Sequence, residues 1–307
     1  MAPDESIVGS TNCLPDARLS VGQSKKIWLR LKGNRLAGLG GLLLITFLLL
    51  AAAAPIISPG DPLAQDLYNR LLAPSLTHPF GTDDFGRDIL SRVLYGARIS
   101  LRVGVVAVMI SLVFGTAIGL SAGYWGGPLD QVLMRAMDLM LAFPSILLAI
   151  GIVSVLGPGL ENAMLAVGIV AIPQYARLAR ASALSVREMD YVQAARALGA
   201  GDFRILRVAL LPNCLTPLIV QSTLGLATAI LDAAGLSFLG LGAQPPVPEW
   251  GAMLSGGREL ILSAPWVLTF PGLAIFLTVL AFNLLGDGLR DAFDPRMQAY
   301  VSVGKWR

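Results

Sequence analysis

Charged residues are few in this 307-residue chain: they make up 14% of it, against 55% hydrophobic residues and a positive mean hydropathy. A soluble domain of this size could not cover that much apolar surface, so the composition points to an integral membrane protein. Histidine occurs once, at His78, and cysteine twice, at Cys13 and Cys214. One cysteine lies in a polar tail and the other at the start of an apolar run, so neither a disulfide nor a metal site follows. The first 35 residues hold no apolar run long enough for a signal peptide, and Cys13 lacks the hydrophobic stretch that precedes a lipid attachment site. No G-x-x-x-x-G-K-S/T phosphate loop occurs, so the chain is not expected to bind ATP itself. The net charge of +3 comes without a basic stripe interleaved with aromatics, which leaves no ground for nucleic acid binding.

What the chain does have is apolar runs with charge sorted between them. Residues 1 to about 25 read as a tail, followed by a basic collar of Lys25, Lys26, Arg30, Lys32 and Arg35. From Leu36 to Ile57, 22 residues carry no charge. At about 1.5 Å rise per residue they can cross a hydrocarbon core of about 30 Å. Further runs predict spans at 103–121, 139–156, 162–176, 213–231 and 264–286. The fourth is short and interrupted by Pro173, which is tolerable only where protein surrounds part of it. Asp232 closes the fifth. With the N-terminus inside, 17 of the 23 lysines and arginines fall on the cytoplasmic side. The expected fold is therefore all-α and integral to the membrane, with six transmembrane helices and both termini cytoplasmic. Tails at 1–35 and 291–307 flank a transmembrane domain at 36–290.

Two outer segments and one glycine series carry further signals. Thr82, Asp83 and Asp84 suit a helix start, and Phe85, Ile89, Leu90, Val93, Leu94 and Ala97 form an apolar stripe after it. An interfacial helix on the outer membrane surface is expected there, with direct ligand contact by the acids as the alternative. Between spans five and six, Gly235, Gly240 and Gly242 permit tight turns, and Pro245, Pro246 and Pro248 stiffen the approach to Trp250. That stretch reads equally as a rigid external corner for a delivering protein or as a re-entrant packing element. Gly115, Gly119, Gly123 and Gly127 recur every four residues, where missing side chains let a neighbouring helix approach. Gly119 to Gly123 also matches the G-x-S-x-G nucleophile elbow around Ser121. An elbow needs a strand before the serine and a histidine partner, and this serine ends a helix with His78 on the opposite side, so a hydrolase is not expected.

The longest cytoplasmic loop, 188–212, organises the rest. Tyr191, Ala194, Ala195 and Leu198 share one helical face, and Gly199 supplies a stop. Asp202 can cap a second short helix carrying Phe203, Ile205 and Leu206, which ends where Pro212 opens the next run. Periodicity alone leaves two readings level: a knob that docks in another protein's groove, or a helix lying on the membrane.

Gln193-Ala194-Ala195, Gly199 and the Leu211-Pro212 pair thirteen residues past that glycine resemble the "EAA" loop of binding-protein-dependent ABC importer permeases. Gln193 stands where that pattern has glutamate, and Ala209 where it has isoleucine. The runs His78 to Asp88, Tyr95 to Leu101, Phe143 to Ser145 and Gly286 to Arg296 look like the peptide and nickel branch of these permeases. Ile230 to Gly251 is similar to the second permease subunit of dipeptide importers. The resemblance implies that Tyr191, Gln193, Ala194, Ala195, Leu198, Gly199, Asp202 and Pro212 couple the chain to an ATP-hydrolysing subunit, and that transport proceeds by alternating access. It implies four kinds of partner: a homologous second permease, ATP-binding subunits, an extracytoplasmic substrate-binding protein and the lipid of a prokaryotic inner membrane. ATP and magnesium would sit on the partners, and this chain would bind no cofactor. Dipeptides lead as substrate, ahead of longer peptides, nickel chelates and haem, and no residue is singled out for substrate contact.

Overall fold

The computed structural model describes residues 34–293. All of the basic collar but Arg35, and nearly all of both tails, lie outside the described residues. Ten helices make up most of the described chain: α1 (Arg35–Ile57), α2 (Ile89–Trp125), α3 (Gly127–Leu141), α4 (Ser145–Leu156), α5 (Leu160–Arg187), α6 (Asp190–Ala197), α7 (Asp202–Ile205), α8 (Leu211–Phe238), α9 (Trp250–Gly257) and α10 (Trp266–Phe293). No strand forms among these residues beyond one isolated bridge, Thr82 with Asp88.

The pairing of α2 with α5 forms the centre. Three glycines of the expected series bring backbone against backbone there: Gly115 meets Tyr175 and Ile172, Gly119 meets Ala176 and Ala179, and Gly123 meets Ala183 and Arg180. Gly168 of α5 answers by packing on Ala107 and Ile110 of α2. Between apolar helices in lipid, such close approach is the main source of association, because lipid tails are as apolar as leucine. Gly127 is not on the seam. α2 stops at Trp125, and Gly126 and Gly127 turn the chain into α3 with positive φ. The Ser121 hydroxyl donates to Ala117 O at 2.7 Å, an ordinary helical back-bond with no strand before it.

Outside this pair, α8 packs on α2, where Gly104 admits Ile230. α10 packs on α8 and α1. Asn34 caps α1 by accepting from Leu36 N and Ala37 N, and its amide donates to Asp291 at the end of α10. The chain therefore enters and leaves the bundle on one side.

Four segments are long and apolar enough to cross a membrane: α1, α2, Asp202–Phe238 and α10. The span expected at 139–156 is two helices, α3 and α4, bent by 95° across Phe143 and Pro144. Counting that pair as one span gives five. The expected fourth span lies within α5, which continues through Pro173 and is not apolar enough to count as a span on its own. Its midpoint, Tyr175 and Ala176, is almost completely buried between α2 and its neighbours, the protein surround that a broken, weakly apolar span requires. The expected fifth span is longer than its sequence signal, because α8 continues past Asp232 to Phe238.

The segments before α2 and between α8 and α10 depart further from the sequence reading. No helix starts at Thr82. Thr82 is buried in a loop, where its hydroxyl donates to Asn69 O and accepts from Leu72 N. Asp88 caps α2 instead, accepting from Ser91 N at 2.7 Å, and residues 89–98 are the first turns of that helix rather than a separate surface helix. The physical reason is the stripe itself: Ile89, Val93 and Ala97 are buried against Trp250 and Val267, not against lipid. The acids are likewise satisfied inside the chain. Asp83 accepts from Arg87 Nε at 2.7 Å, and Asp88 accepts from the Ser91 hydroxyl and faces His78 Nδ1 at 3.0 Å. Between α8 and α10 the packing-element reading holds. Trp250 is fully buried and donates to Val93 O, while Glu249 caps α9 through Gly251 N and Ala252 N.

A side chain on the α2 seam should be far more damaging than one on the lipid-facing surface. We expect Gly123→Leu, whose Cβ would come within 2.7 Å of Ala183 Cβ, to lower the thermal midpoint of the detergent-solubilised protein by an amount equivalent to about 1–3 kcal/mol. Gly41→Leu, with nothing within 4 Å, should leave it in place.

Candidate coupling site

The corner between α5 and α8 begins where α5 ends at Arg187. α6 follows, and its last turn closes in a Schellman motif: Gly199 N donates to Arg196 O and Ala200 N to Ala195 O, both at 3.0 Å. This geometry requires a left-handed residue just after the helix, and Gly199 has φ +81°. Nothing lies within 4 Å of where its side chain would be, so the requirement is conformational and not steric.

Two sets of side chains divide the corner. Val192, Ile205 and Leu210 are fully or almost fully buried and belong to the same core as the α2–α5 seam. Leu198 is 88% exposed and Phe203 75%, with Met189 and Tyr191 about half exposed beside them. Burial of four such apolar groups would normally be favourable at about 25 cal/mol per Å², so the corner carries an apolar face that the chain itself leaves uncovered. Ala194 is exposed and Ala195 partly so, which keeps the outer face of α6 low.

The corner is tied down by polar contacts that span the sequence. Asp202 does not cap α7. Gly201 occupies the capping position, and Asp202 is the first helical residue, with its carboxylate turned to the end of α2. It accepts from Tyr124 OH at 2.6 Å and from Trp125 Nε1 at 3.5 Å. The Arg196 guanidinium lies over the Tyr124 ring at 5.4 Å, so α6 and α7 both hold the same aromatic. Arg187 Nη1 donates to Gly123 O at 2.9 Å. Deeper along α5, Arg180 makes two bonds to Asp130 of α3, at 2.5 and 2.6 Å. That fork-to-fork geometry fixes direction as well as distance.

The remaining expected residues also have defined places. Gln193 Nε2 donates to Arg187 O at 3.2 Å, closing α6 back onto the end of α5. A carboxylate in its place would have no hydrogen to give. Tyr191 OH accepts from Asn213 Nδ2 at 3.0 Å, and the same amide donates to Ala209 O at 2.7 Å. Burial pushes the Tyr191 phenol pKa up, so it stays neutral in that contact. Pro212 does not end the second helix. Leu206–Leu210 forms a π turn that leads from α7 directly into α8, and Pro212 sits in the first turn of α8, where its missing N–H can be accommodated. All eight expected residues thus fall on one corner. Tyr124, Trp125, Asp130 and Arg180, which anchor it, were not visible as partners in the sequence because they lie 50 to 78 residues from the groups they bind.

Residues 115–299, which include this corner and the α2–α5 seam, match the family described as binding-protein-dependent transport system inner membrane component. The chain belongs to that family. It is an inner-membrane permease subunit of an ABC importer. Residues 22–74 match the N-terminal transmembrane domain of oligopeptide transport permease C. A dipeptide transport system permease protein of Alkalihalophilus pseudofirmus is 51% identical over 284 residues, covering 92% of this chain and 93% of the relative. Its counterpart in Haemophilus influenzae is 48% identical, covering 89% and 95%. A glutathione transport system permease protein of Pectobacterium atrosepticum is 45% identical, covering 90% and 92%. The inward-facing MetNI methionine ABC transporter shares the fold at a TM-score of 0.55, with 20% identity over 67% of this chain and 98% of that one.

Gly199→Val should strain this permease locally. A β-branched residue held at that φ costs about 1–2 kcal/mol, so amide exchange at Gly199's neighbours Leu198 and Ala200 should accelerate about tenfold while the protein still inserts. Unchanged exchange would show that the left-handed turn does not hold the corner together.

Proposed function

We propose that this permease imports dipeptides and that the 188–212 corner receives the stroke of an ATP-hydrolysing partner subunit. The observation that carries the proposal is the division of the corner. Its outer face offers Leu198, Phe203, Met189 and Tyr191 to a partner, while its inner face is fastened to both central helices. The dipeptide assignment is supported by the two dipeptide permeases named above, 93% and 95% of whose lengths align with the chain. ATP and magnesium belong to the partner subunits in this reading. The chain pairs with a homologous second permease to enclose a pathway, and an extracytoplasmic binding protein delivers substrate. Closure of the ATP-binding subunits moves the corner, and the rigid helices carry the motion to the pathway as alternating access. Coupling of this kind is reciprocal for binding, so docking of the delivery protein in turn biases the nucleotide site.

Leu198→Glu combined with Phe203→Glu tests the docking face. The variant should remain in the membrane, because both side chains are already exposed. ATP-dependent uptake of labelled dipeptide should fall at least about tenfold, the loss of one or two well-buried interface anchors. Removal of Gln193 to Gly199 should abolish it. Full uptake in either variant would sink the coupling role, and flux without nucleotide would mark a passive channel instead.

A further inference from the structure

α8 buries two of its faces and leaves a third free. Ala227, Ile230 and Ala234 belong to the outer core with Trp250 and Ile89. Ala229, Ala233 and Leu236 belong to the central core with Val103. At about 100° per residue these sets point about 125° apart around the helix, and Thr228, Leu231, Asp232 and Gly235 fall on the wider arc left between them. On this third face Thr228 is exposed, Leu231 is 54% exposed and Asp232 is partly exposed. Gly235 has only Ile146 Cδ1 near its side-chain position, at 3.8 Å.

Asp232 is the only charged residue in the 28 residues of α8, and it makes no hydrogen bond or ion pair with any described residue. It lies 21 residues past Leu211, about 32 Å along the helix, so it stands near the outer edge of the hydrocarbon core. An unpaired carboxylate at that depth is destabilising unless it faces an aqueous cavity or meets a cation.

We propose that the Asp232 carboxylate takes the α-ammonium of the peptide in transit, an assignment that rests on the peptide-import reading. Peptides of differing side chains share only their backbone and their two charged termini. A permease that accepts many of them must therefore contact those shared groups, and a lone carboxylate on a free helix face selects the ammonium. The neighbouring Thr228 hydroxyl, one turn nearer the cytoplasm, offers a second polar group on the same face.

The test uses the assembled transporter in proteoliposomes. Asp232→Asn, an isosteric neutral change, should raise the KM for a labelled dipeptide about tenfold, the loss of one charge-assisted contact, and Asp232→Glu should restore most of it. Carbodiimide labelling of Asp232, read by mass spectrometry, should be suppressed by a dipeptide with a free amine and not by its N-acetylated form. A role confined to helix packing would give no amine-dependent protection. Wild-type uptake tests the import reading by itself: no uptake of any peptide overturns that reading. A wild type that imports, beside an Asp232→Asn variant with unchanged KM and equal labelling with or without peptide, overturns the Asp232 assignment alone.

Discussion

Backbone contact between α2 and α5 is the constraint on which the rest of this protein depends. In lipid there is no hydrophobic gain from hiding leucine on leucine, so two helices hold together through shape and close approach. Gly115, Gly119 and Gly123 provide that approach, and Gly168 provides it in return. The consequence is mechanical. A seam with so little side-chain padding has few alternative packings, so the ends of α2 and α5 at Trp125 and Arg187 must move as one body. The corner is attached to both ends of that body, to Tyr124 and Trp125 on α2 and directly to Arg187 on α5.

The same constraint explains why the polar contacts cluster where they do. Arg180 with Asp130 and Arg177 with Asp138 join α5 to α3 alongside the part of the seam where Gly119 and Gly123 pack. Arg177 and Asp138 are each about half exposed, so that pair adds little stability, about 0–1 kcal/mol. The Arg180 pair is better sheltered and bidentate, and its value lies in direction: it holds the bent α3 against α5 so that the corner has a fixed base. At the other end of α2, by contrast, Asp83, Arg87, Asp88 and Arg92 are buried together, where removal of one partner would leave an uncompensated charge. One end of the bundle is held by pairs that are partly exposed and the other by an enclosed network.

Much of this was legible in the sequence, and the failures have physical causes. The glycine spacing gave three of the four seam positions, because a four-residue repeat maps onto one helix face whatever surrounds it. Gly199 was readable as a stop because few residues tolerate a left-handed turn, and its φ of +81° agrees. Boundaries drawn from charge fared worse. Asp232 was taken to end a span, yet a carboxylate does not break a helix, and α8 runs six residues further. Thr82, Asp83 and Asp84 resemble a helix start in sequence, but Asp83 is held by Arg87 and Arg92, and the Thr82 hydroxyl is engaged by Asn69 and Leu72, ten or more residues away. The bend at Pro144 was hidden because both α3 and α4 are apolar where they meet, so hydropathy read across the break.

Gln193 shows how a departure from a family pattern becomes intelligible only in three dimensions. Its amide donates to the last carbonyl region of α5, at Arg187 O, and a helix C-terminus carries partial negative charge. Glutamate at this position would place a carboxylate beside that negative end, unless a cation from outside the chain compensated it. Glutamine removes the repulsion and adds a donor, so α6 is held to α5 by the chain itself. The corner of this permease is therefore set before any partner arrives. What a partner would meet is a rigid apolar ridge rather than a loop that must be ordered on docking, and an ordered ridge loses less entropy on binding and transmits displacement with less slack.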